Sequence, residues 1–456
     1  MKNSSRRIFL KNTFSAGIGT AIASTFPSIV RASSISNQPA ILGGLPMIDK
    51  VKFVKWPIWI PETDEKRVLE SLRSGVWSRA ALVTEFEQEW SKTLGVKRSL
   101  TVVNGTNALI VALNQLDIRG GDEVLVTPYT FVATIQAILA NHAIPVFVDV
   151  DPATFQMDPK KMEEKITANT KAIMPVHILG LPSDMDSIMA IANKHKLLVL
   201  EDACQAPLAE IGGKKVGTIG NAGCFSFQNS KNIAIGEGGA IVSNDDAFMD
   251  RCYSYHNLGL PYGTAAGTIG TGSFMQASKV RLSEYQAAIG LAQLKRLEAQ
   301  TITRNSNAAY LSSLIKKVPG ITPYKLYDNV TRAAFHLFPF TYHKEQFKGL
   351  SRAAFIKSIQ AEGIPASGGY TPLNTQPFIQ EAFASKNFQK IYGKKALDYQ
   401  KYMKVNACPL NDVMCTEAVW FTQNVLLGSK SDMDSIAATI ENIYANAENI
   451  KKTIDK

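Results

Sequence analysis

The run FSFQNSKNIAIGEGGAIVSND, from Phe225 to Asp245, holds one lysine, Lys231, among apolar residues and bounded by glycines. An ammonium taken partly out of water gives up its proton more readily than a surface one, and the free amine can form a Schiff base with an aldehyde cofactor. Three segments upstream supply companion chemistry. VVNGTNALIVAL (Val102 to Leu113) reads as a strand, a turn at Asn104-Gly105-Thr106 and a helix. Such a turn gathers free backbone N–H groups and the positive end of the helix dipole at one point, which suits a phosphate. VTPYTFVAT (Val126 to Thr134) leaves a strand with Tyr129 and Phe131 at its exit, where a ring can stack on a flat heterocycle. LLVLEDACQA (Leu197 to Ala206) is a buried-type strand ending in Glu201 and Asp202, and the carboxyl ends of strands are where open α/β sheets bind ligands.

Each segment has a plainer reading. Thr106 can be an ordinary helix N-cap, Phe131 a core residue, Glu201-Asp202 the start of a solvated turn and Lys231 a surface lysine. Together they offer a phosphate cradle, a stacking face, a carboxylate for a pyridinium nitrogen and a Schiff-base amine. Few cofactors other than pyridoxal phosphate need all four.

The elements that must position these residues follow from periodicity. From Glu62 to about Gln300, strand-like runs at Glu123–Val126, Pro145–Val150, Lys171–Val176 and Leu197–Glu201 alternate with helical patterns. That alternation predicts an α/β fold: a large domain over 62–300 with a mainly parallel sheet between helices. Ser283 to Glu298 is an amphipathic helix that ends it, and 301–456 forms a smaller C-terminal α+β domain whose last helix covers about Ser431 to Asn449. With 456 residues and 45% hydrophobic content the chain can bury two cores.

The order NGTNAL at Asn104, GDEVLVTPYTFVAT at Gly121, PVFVDVDPATFQMDP at Pro145, EDACQA at Glu201, FSFQNSKN at Phe225, GEGGAIVSND at Gly236 and RLSEYQAAIGLAQL at Arg281 resembles the DegT/StrS family of sugar aminotransferases. The likeness runs from about Trp56 to the C-terminus. AEGIPASGGYTPLNTQPF (Ala361 to Phe378) and CPLNDVMCTEAVWFTQNVLLG (Cys408 to Gly428) are similar to the branch acting on inososes and related cyclic polyols.

The resemblance implies pyridoxal phosphate-dependent transferase fold type I and a ping-pong transfer from glutamine or glutamate to a keto-sugar or keto-cyclitol. It implies Lys231 as the cofactor-holding lysine and acid/base, Asp202 as the pyridinium partner, Gln205 near the ring oxygen and Phe131 on the ring face. Gly105, Thr106 and Ser226 then bind the phosphate. One position departs from the family: where an asparagine reaches the partner subunit's cofactor phosphate, ASKVRLSE places Lys279, with Ala277 in place of a glycine. A lysine suits a phosphate as a point charge, so the expectation is a homodimer with shared sites. A pyridoxal phosphate-binding protein with a sensory or structural role is the alternative, and retention of Lys231, Asp202 and Ser226 together favours the enzyme. A related dehydratase is disfavoured, because those enzymes carry a histidine where Lys231 stands.

The net charge of +10 is concentrated early. Lys2, Arg6, Arg7, Lys11 and Arg31 fall in the first 32 residues with no acids, leaving +5, dispersed, for the remainder. Nothing there resembles a nucleic-acid surface. Arg6-Arg7 before a mild apolar run (Phe14 to Phe26) resembles a twin-arginine export signal over 1–32, cleaved after Ala32 and followed by an arm over 33–61. The expected location is the periplasm, and the apolar run is too short for a stable membrane span. Five cysteines without a CxxC pair and six histidines without ligand spacing read as free thiols and structural side chains, with no metal site.

Overall fold

The computed structural model describes residues 38–48, 53–264, 268, 272–393 and 397–454. The twin-arginine segment, its cleavage point and the first residues of the arm lie outside these.

Two helices, α1 (Pro61–Ser74) and α2 (Ala81–Leu94), lead into a seven-stranded sheet. Its strands are β1 (Arg98–Val102), β2 (Glu123–Val126), β3 (Ile144–Phe147), β4 (Thr170–Met174), β5 (Leu198–Asp202), β6 (Ala222–Ser226) and β7 (Gly239–Ser243). The order across the sheet is β1-β7-β6-β5-β4-β2-β3. All neighbouring pairs are parallel except those made by β7, which runs against both β1 and β6. Helices α3 (Gly105–Gln115), α4 (Val132–Ala140) and α5 (Met185–His195) lie in the connections between its strands, and α6 (Asp246–His256) follows β7. The strands are buried on both faces, as a parallel sheet covered by helices requires. The α/β architecture expected from the alternating pattern is the one present.

The register brings the functional segments together. Gly239 pairs with Val102 on one side and Ser226 on the other, while Cys224 pairs with Asp202. The carboxyl ends of β1, β6 and β5 thus converge at one end of the sheet, the topological place for a ligand.

Helix α7 (Glu284–Ile315) is longer than the sequence pattern indicates, running past Glu298 for 32 residues in all. Its first half buries Ala287, Leu291 and Leu297 in the core beneath the large sheet, and its second half buries Ala308, Leu311 and Ile315 in the C-terminal core. The apolar spacing continues while its direction on the helix changes, so one uninterrupted helix serves both cores. Buried Glu284 caps α2, accepting from the backbone N–H groups of Ala80 (2.8 Å), Leu82 (2.6 Å) and Val83 (3.2 Å). Charge-assisted bonds of this kind each contribute about 1.5–3 kcal/mol.

The C-terminal part carries an antiparallel four-stranded sheet, β8 (Ile321–Pro323), β9 (Leu337–Tyr342), β10 (Ala366–Gly368) and β11 (Ala418–Thr422), in the order β8-β9-β11-β10. Helix α8 (Arg352–Ala361) precedes β10. Between β10 and β11, helices α9 (Pro377–Ala384), α10 (Lys386–Tyr392), α11 (Tyr399–Val405) and α12 (Pro409–Glu417) return to the large sheet. Phe147 N–H donates to Asn406 Oδ1 (2.7 Å) and Tyr402 Oη donates to the Pro145 carbonyl (2.7 Å), covering the β3 edge that would otherwise offer unpaired backbone. The chain closes with α13 (Lys430–Ala445) and α14 (Ala447–Ile454), a break at Asn446 dividing the single terminal helix that the pattern indicates. No helix of the described residues is long and apolar enough to cross a membrane.

Candidate active site

Glu201 and Asp202 are adjacent on β5, so their side chains leave opposite faces of the sheet. Both are buried, and neither begins a solvated turn. Glu201 accepts from the N–H groups of Gly217 (2.6 Å), Ile219 (2.7 Å) and Gly220 (2.6 Å). It also meets Nε2 of His177 at 3.0 Å, and His177 Nδ1 accepts from Ser183 N–H. Glu201 therefore holds a turn together. Asp202 faces the cavity instead: Oδ2 accepts from the Thr134 hydroxyl at 2.8 Å, and Oδ1 from Cys204 N–H at 3.2 Å. Thr134 Oγ1 in turn lies 2.7 Å from Thr130 Oγ1.

The cradle at the start of α3 is built by Asn104. Its Oδ1 accepts from Asn107 N–H at 2.8 Å, so Asn104 is the N-cap and Thr106 lies inside the first turn. The plainer reading of Thr106 as the cap does not hold. The approach is tight enough to require glycine. A Cβ on Gly105 would come within 2.8 Å of Ser226 Cβ and 2.9 Å of Cys204 Sγ, and one on Gly239 within 2.5 Å of the Asn104 carbonyl carbon.

Lys231 sits in the loop after β6. Its N–H donates to the Gln228 carbonyl at 2.8 Å, and its carbonyl accepts from Trp56 Nε1 at 3.2 Å. Burial lowers the Lys231 pKa below its ordinary value, opposed in part by Cys204 and Asp202. An uncharged amine is the form that attacks a carbonyl.

Of the two aromatic residues after β2, only Phe131 serves the cavity. It is 55% exposed at the N-cap position of α4 and lines the pocket, so it is not core. Tyr129 is fully buried, edge-on to Tyr370 with ring centroids 5.3 Å apart. A bend over residues 128–130 separates the two rings, so that one turns inward while the other stays free. Gln205 lines the same cavity with its amide already engaged, Oε1 accepting from Leu179 N–H (2.7 Å) and Nε2 donating to Tyr370 Oη (2.8 Å).

A cavity of about 580 Å³ thus gathers Gly105, Thr106, Phe131, Asp202, Gln205, Ser226 and Lys231. Lys279 is not among its lining residues; it is exposed and bridges to Asn257 in the connection before α7. The sequence reading assigned no role to Thr134, Cys204, His336 or Tyr370, which also line the cavity or orient its groups. Thr134 was legible as a hydroxyl one helical turn past Phe131. His336 carries no local signal at all. A second cavity of about 570 Å³, around Arg79, Arg98 and Tyr253, has its charges already paired, Arg79 with Glu87 and Arg98 with Asp250. Among the described residues no cluster of histidine, cysteine or acidic side chains could hold a metal ion, and all five cysteines are free.

The chain is similar to known proteins over most of its length. Residues 59–419 match the DegT/DnrJ/EryC1/StrS aminotransferase family. The chain is 32% identical over 428 residues to a putative L-glutamine:3-amino-2,3-dideoxy-scyllo-inosose aminotransferase of Streptoalloteichus tenebrarius, covering 91% of this chain and all of that one. It is 34% identical over 366 residues to the spore coat polysaccharide biosynthesis protein SpsC of Bacillus subtilis, covering 78% and 93%. Among solved structures, 3-amino-5-hydroxybenzoic acid synthase superposes with a TM-score of 0.77 at 29% identity, covering 86% of this chain and 99% of that one. The chain belongs to the DegT/DnrJ/EryC1/StrS aminotransferase family.

Proposed function

We propose that this aminotransferase uses pyridoxal phosphate to move an amino group from glutamine or glutamate to a keto-sugar or keto-cyclitol of the inosose class. The observation that carries the reading is the convergence of a desolvated lysine, a buried carboxylate and a glycine-lined helix N-terminus on one cavity. The residues fit the cofactor's parts. The N–H groups at Gly105 and Thr106, with the Ser226 hydroxyl, suit its phosphate, and the exposed Phe131 ring suits its heterocycle. When bound, the cofactor supplies an aldehyde that carries the amino group and a ring that withdraws electrons.

The chain does the rest. Lys231 Nζ would hold the cofactor and would move a proton at the substrate carbon that bears nitrogen. Asp202, oriented by Thr134 and Cys204 N–H, would keep the ring nitrogen protonated. The acceptor class rests on likeness to inosose aminotransferases over nearly the whole chain.

The enzyme works as a homodimer in which Lys279, exposed and outside its own cavity, serves the partner subunit's phosphate site. Arg6-Arg7 directs export through the twin-arginine route to the periplasm, and Arg6-Arg7→Lys-Lys then retains the protein in the cytoplasm of a bacterial host, whereas unchanged fractionation refutes export.

The test of function is spectroscopic. Cofactor-loaded protein mixed with glutamine or glutamate should shift its absorbance to the pyridoxamine form, and scyllo-inosose or a keto-sugar should reverse the shift. Loaded protein that responds to neither amino donor refutes the reading.

A further inference from the structure

His336 immediately precedes β9, lines the Lys231 cavity and is only 6% exposed. Its Nδ1 has no hydrogen-bond partner among the described residues. Buried polar atoms are almost always paired, so an unpaired one in the wall of a cavity points to a ligand.

The histidine is held there at a cost. Phe335, just before it, sits in the left-handed region at φ 49°, which is strained for a bulky residue. Three elements impose that geometry. Ala334 N–H donates to the Gly180 carbonyl (2.8 Å), and the Ala334 carbonyl accepts from Asn232 Nδ2 (2.7 Å), the residue after Lys231. Asn305 brackets Ala333, donating to its carbonyl at 2.6 Å and accepting from its N–H at 3.1 Å. Gly180 leaves the space, since a Cβ there would lie 2.6 Å from the His336 backbone nitrogen. Strain enforced from three sides marks a side chain positioned for use.

The chemistry of the ring narrows its ligand. Burial lowers the His336 pKa well below its ordinary value, and the nearby positive charges of Lys231 and Arg304 add to this. The imidazole is therefore neutral, with one donor and one acceptor nitrogen. A carboxylate or phosphate would call for a cation at this position. A hydroxyl, which both donates and accepts, matches a neutral imidazole.

We propose that His336 hydrogen-bonds a hydroxyl flanking the reacting carbon of the acceptor, making it a specificity residue for hydroxylated ketones. The inference rests on the proposed acceptor class and deepens it. It places His336 in the second half of the reaction, not in cofactor binding or the donor half.

The test uses cofactor-loaded wild type, His336→Phe and His336→Gln. The donor half-reaction with glutamine is followed by absorbance, and the acceptor half with scyllo-inosose and with 2-deoxy-scyllo-inosose, which lacks one hydroxyl beside the carbonyl. Binding of both ketones to the pyridoxamine-loaded proteins is measured by calorimetry. His336→Phe should lower acceptor kcat/KM for scyllo-inosose by roughly 10- to 100-fold, mainly through KM, because a buried hydrogen-bond partner is lost. The donor half should change less than about threefold. The loss should be smaller for the deoxy ketone, and His336→Gln should recover part of it. A donor half that falls as far as the acceptor half, equal losses for both ketones, or no loss at all would overturn the assignment of His336. Wild type that aminates neither ketone would sink the acceptor class as well, so the two failures are distinguishable.

Discussion

The Thr134 hydroxyl donates to Asp202 at 2.8 Å, tying the first turn of α4 to the end of β5. The neighbouring carboxylate, Glu201, is tied instead to three backbone N–H groups of a turn. Two adjacent acids therefore have separable duties. Asp202→Asn should leave the protein folded and able to bind pyridoxal phosphate, yet slow the donor half-reaction by about two to four orders of magnitude. Thr134→Val should slow it roughly 10-fold. Glu201→Gln should instead destabilise the fold by several kcal/mol, on the order of 1–3 for each backbone donor left unsatisfied. Stopped-flow absorbance and thermal melts on the same three variants separate the roles. Near-normal turnover in Asp202→Asn would reduce that residue to a strand end.

The cradle makes a steric prediction. Gly105→Ala places a methyl group 2.8 Å from Ser226 Cβ and 2.9 Å from Cys204 Sγ, contacts that force the α3 N-terminus to move. Cofactor affinity, measured by fluorescence titration, should fall more than about 10-fold while the melting temperature changes little. Unaltered affinity would remove α3 from the phosphate site.

Much of this site is legible in the sequence because its parts are local. A lysine between glycines, a glycine turn before a helix and acids at the end of an apolar strand each declare themselves within a dozen residues. What stays hidden depends on direction and distance. Strand alternation aims Asp202 at the cavity and Glu201 away from it, but which is which depends on the packing of β5 between β4 and β6. The choice between Tyr129 and Phe131 was settled by Tyr370 and Phe155, which lie far along the chain and receive the Tyr129 ring. Helix α7 outran its pattern because its buried face passes from one core to the other. His336 is placed by Asn232, Asn305 and Gly180, so no window of sequence around it could have marked it.

Acid stability depends on another histidine. His256 is fully buried at the end of α6, with Nε2 unpartnered among the described residues, and burial together with Arg79 lowers its pKa to about 3. Held neutral in the fold but free to protonate when unfolded, it contributes stability that is complete above about pH 6.5. That contribution is lost as pH falls toward about 3, with an upper bound of about 5 kcal/mol. His256→Asn can keep a donor to the Tyr253 carbonyl, which Nδ1 contacts, while removing the titration. Urea unfolding between pH 7 and 4 should show a shallower decline for the variant than for wild type. Parallel curves would contradict this role.

Quaternary structure is tested by complementation. If Lys279 serves the partner subunit, each site draws on two chains and the enzyme is an obligate symmetric homodimer. Lys231→Ala and Lys279→Ala homodimers carry a lesion in both sites, but their heterodimer has one site intact and one with both lesions. Mixing differently tagged, impaired variants should restore activity once subunit exchange is verified. Verified heterodimers no better than the parents, or an active monomer, would refute the trans assignment.

Covalent attachment of the cofactor at Lys231 is the claim on which the account depends most. Cofactor-loaded protein should be treated with borohydride, digested and mapped by mass spectrometry. The reduced pyridoxyl group is predicted on Lys231, and it should vanish in Lys231→Ala. A reduced adduct on any other lysine of the wild type, or none at all, would contradict the account.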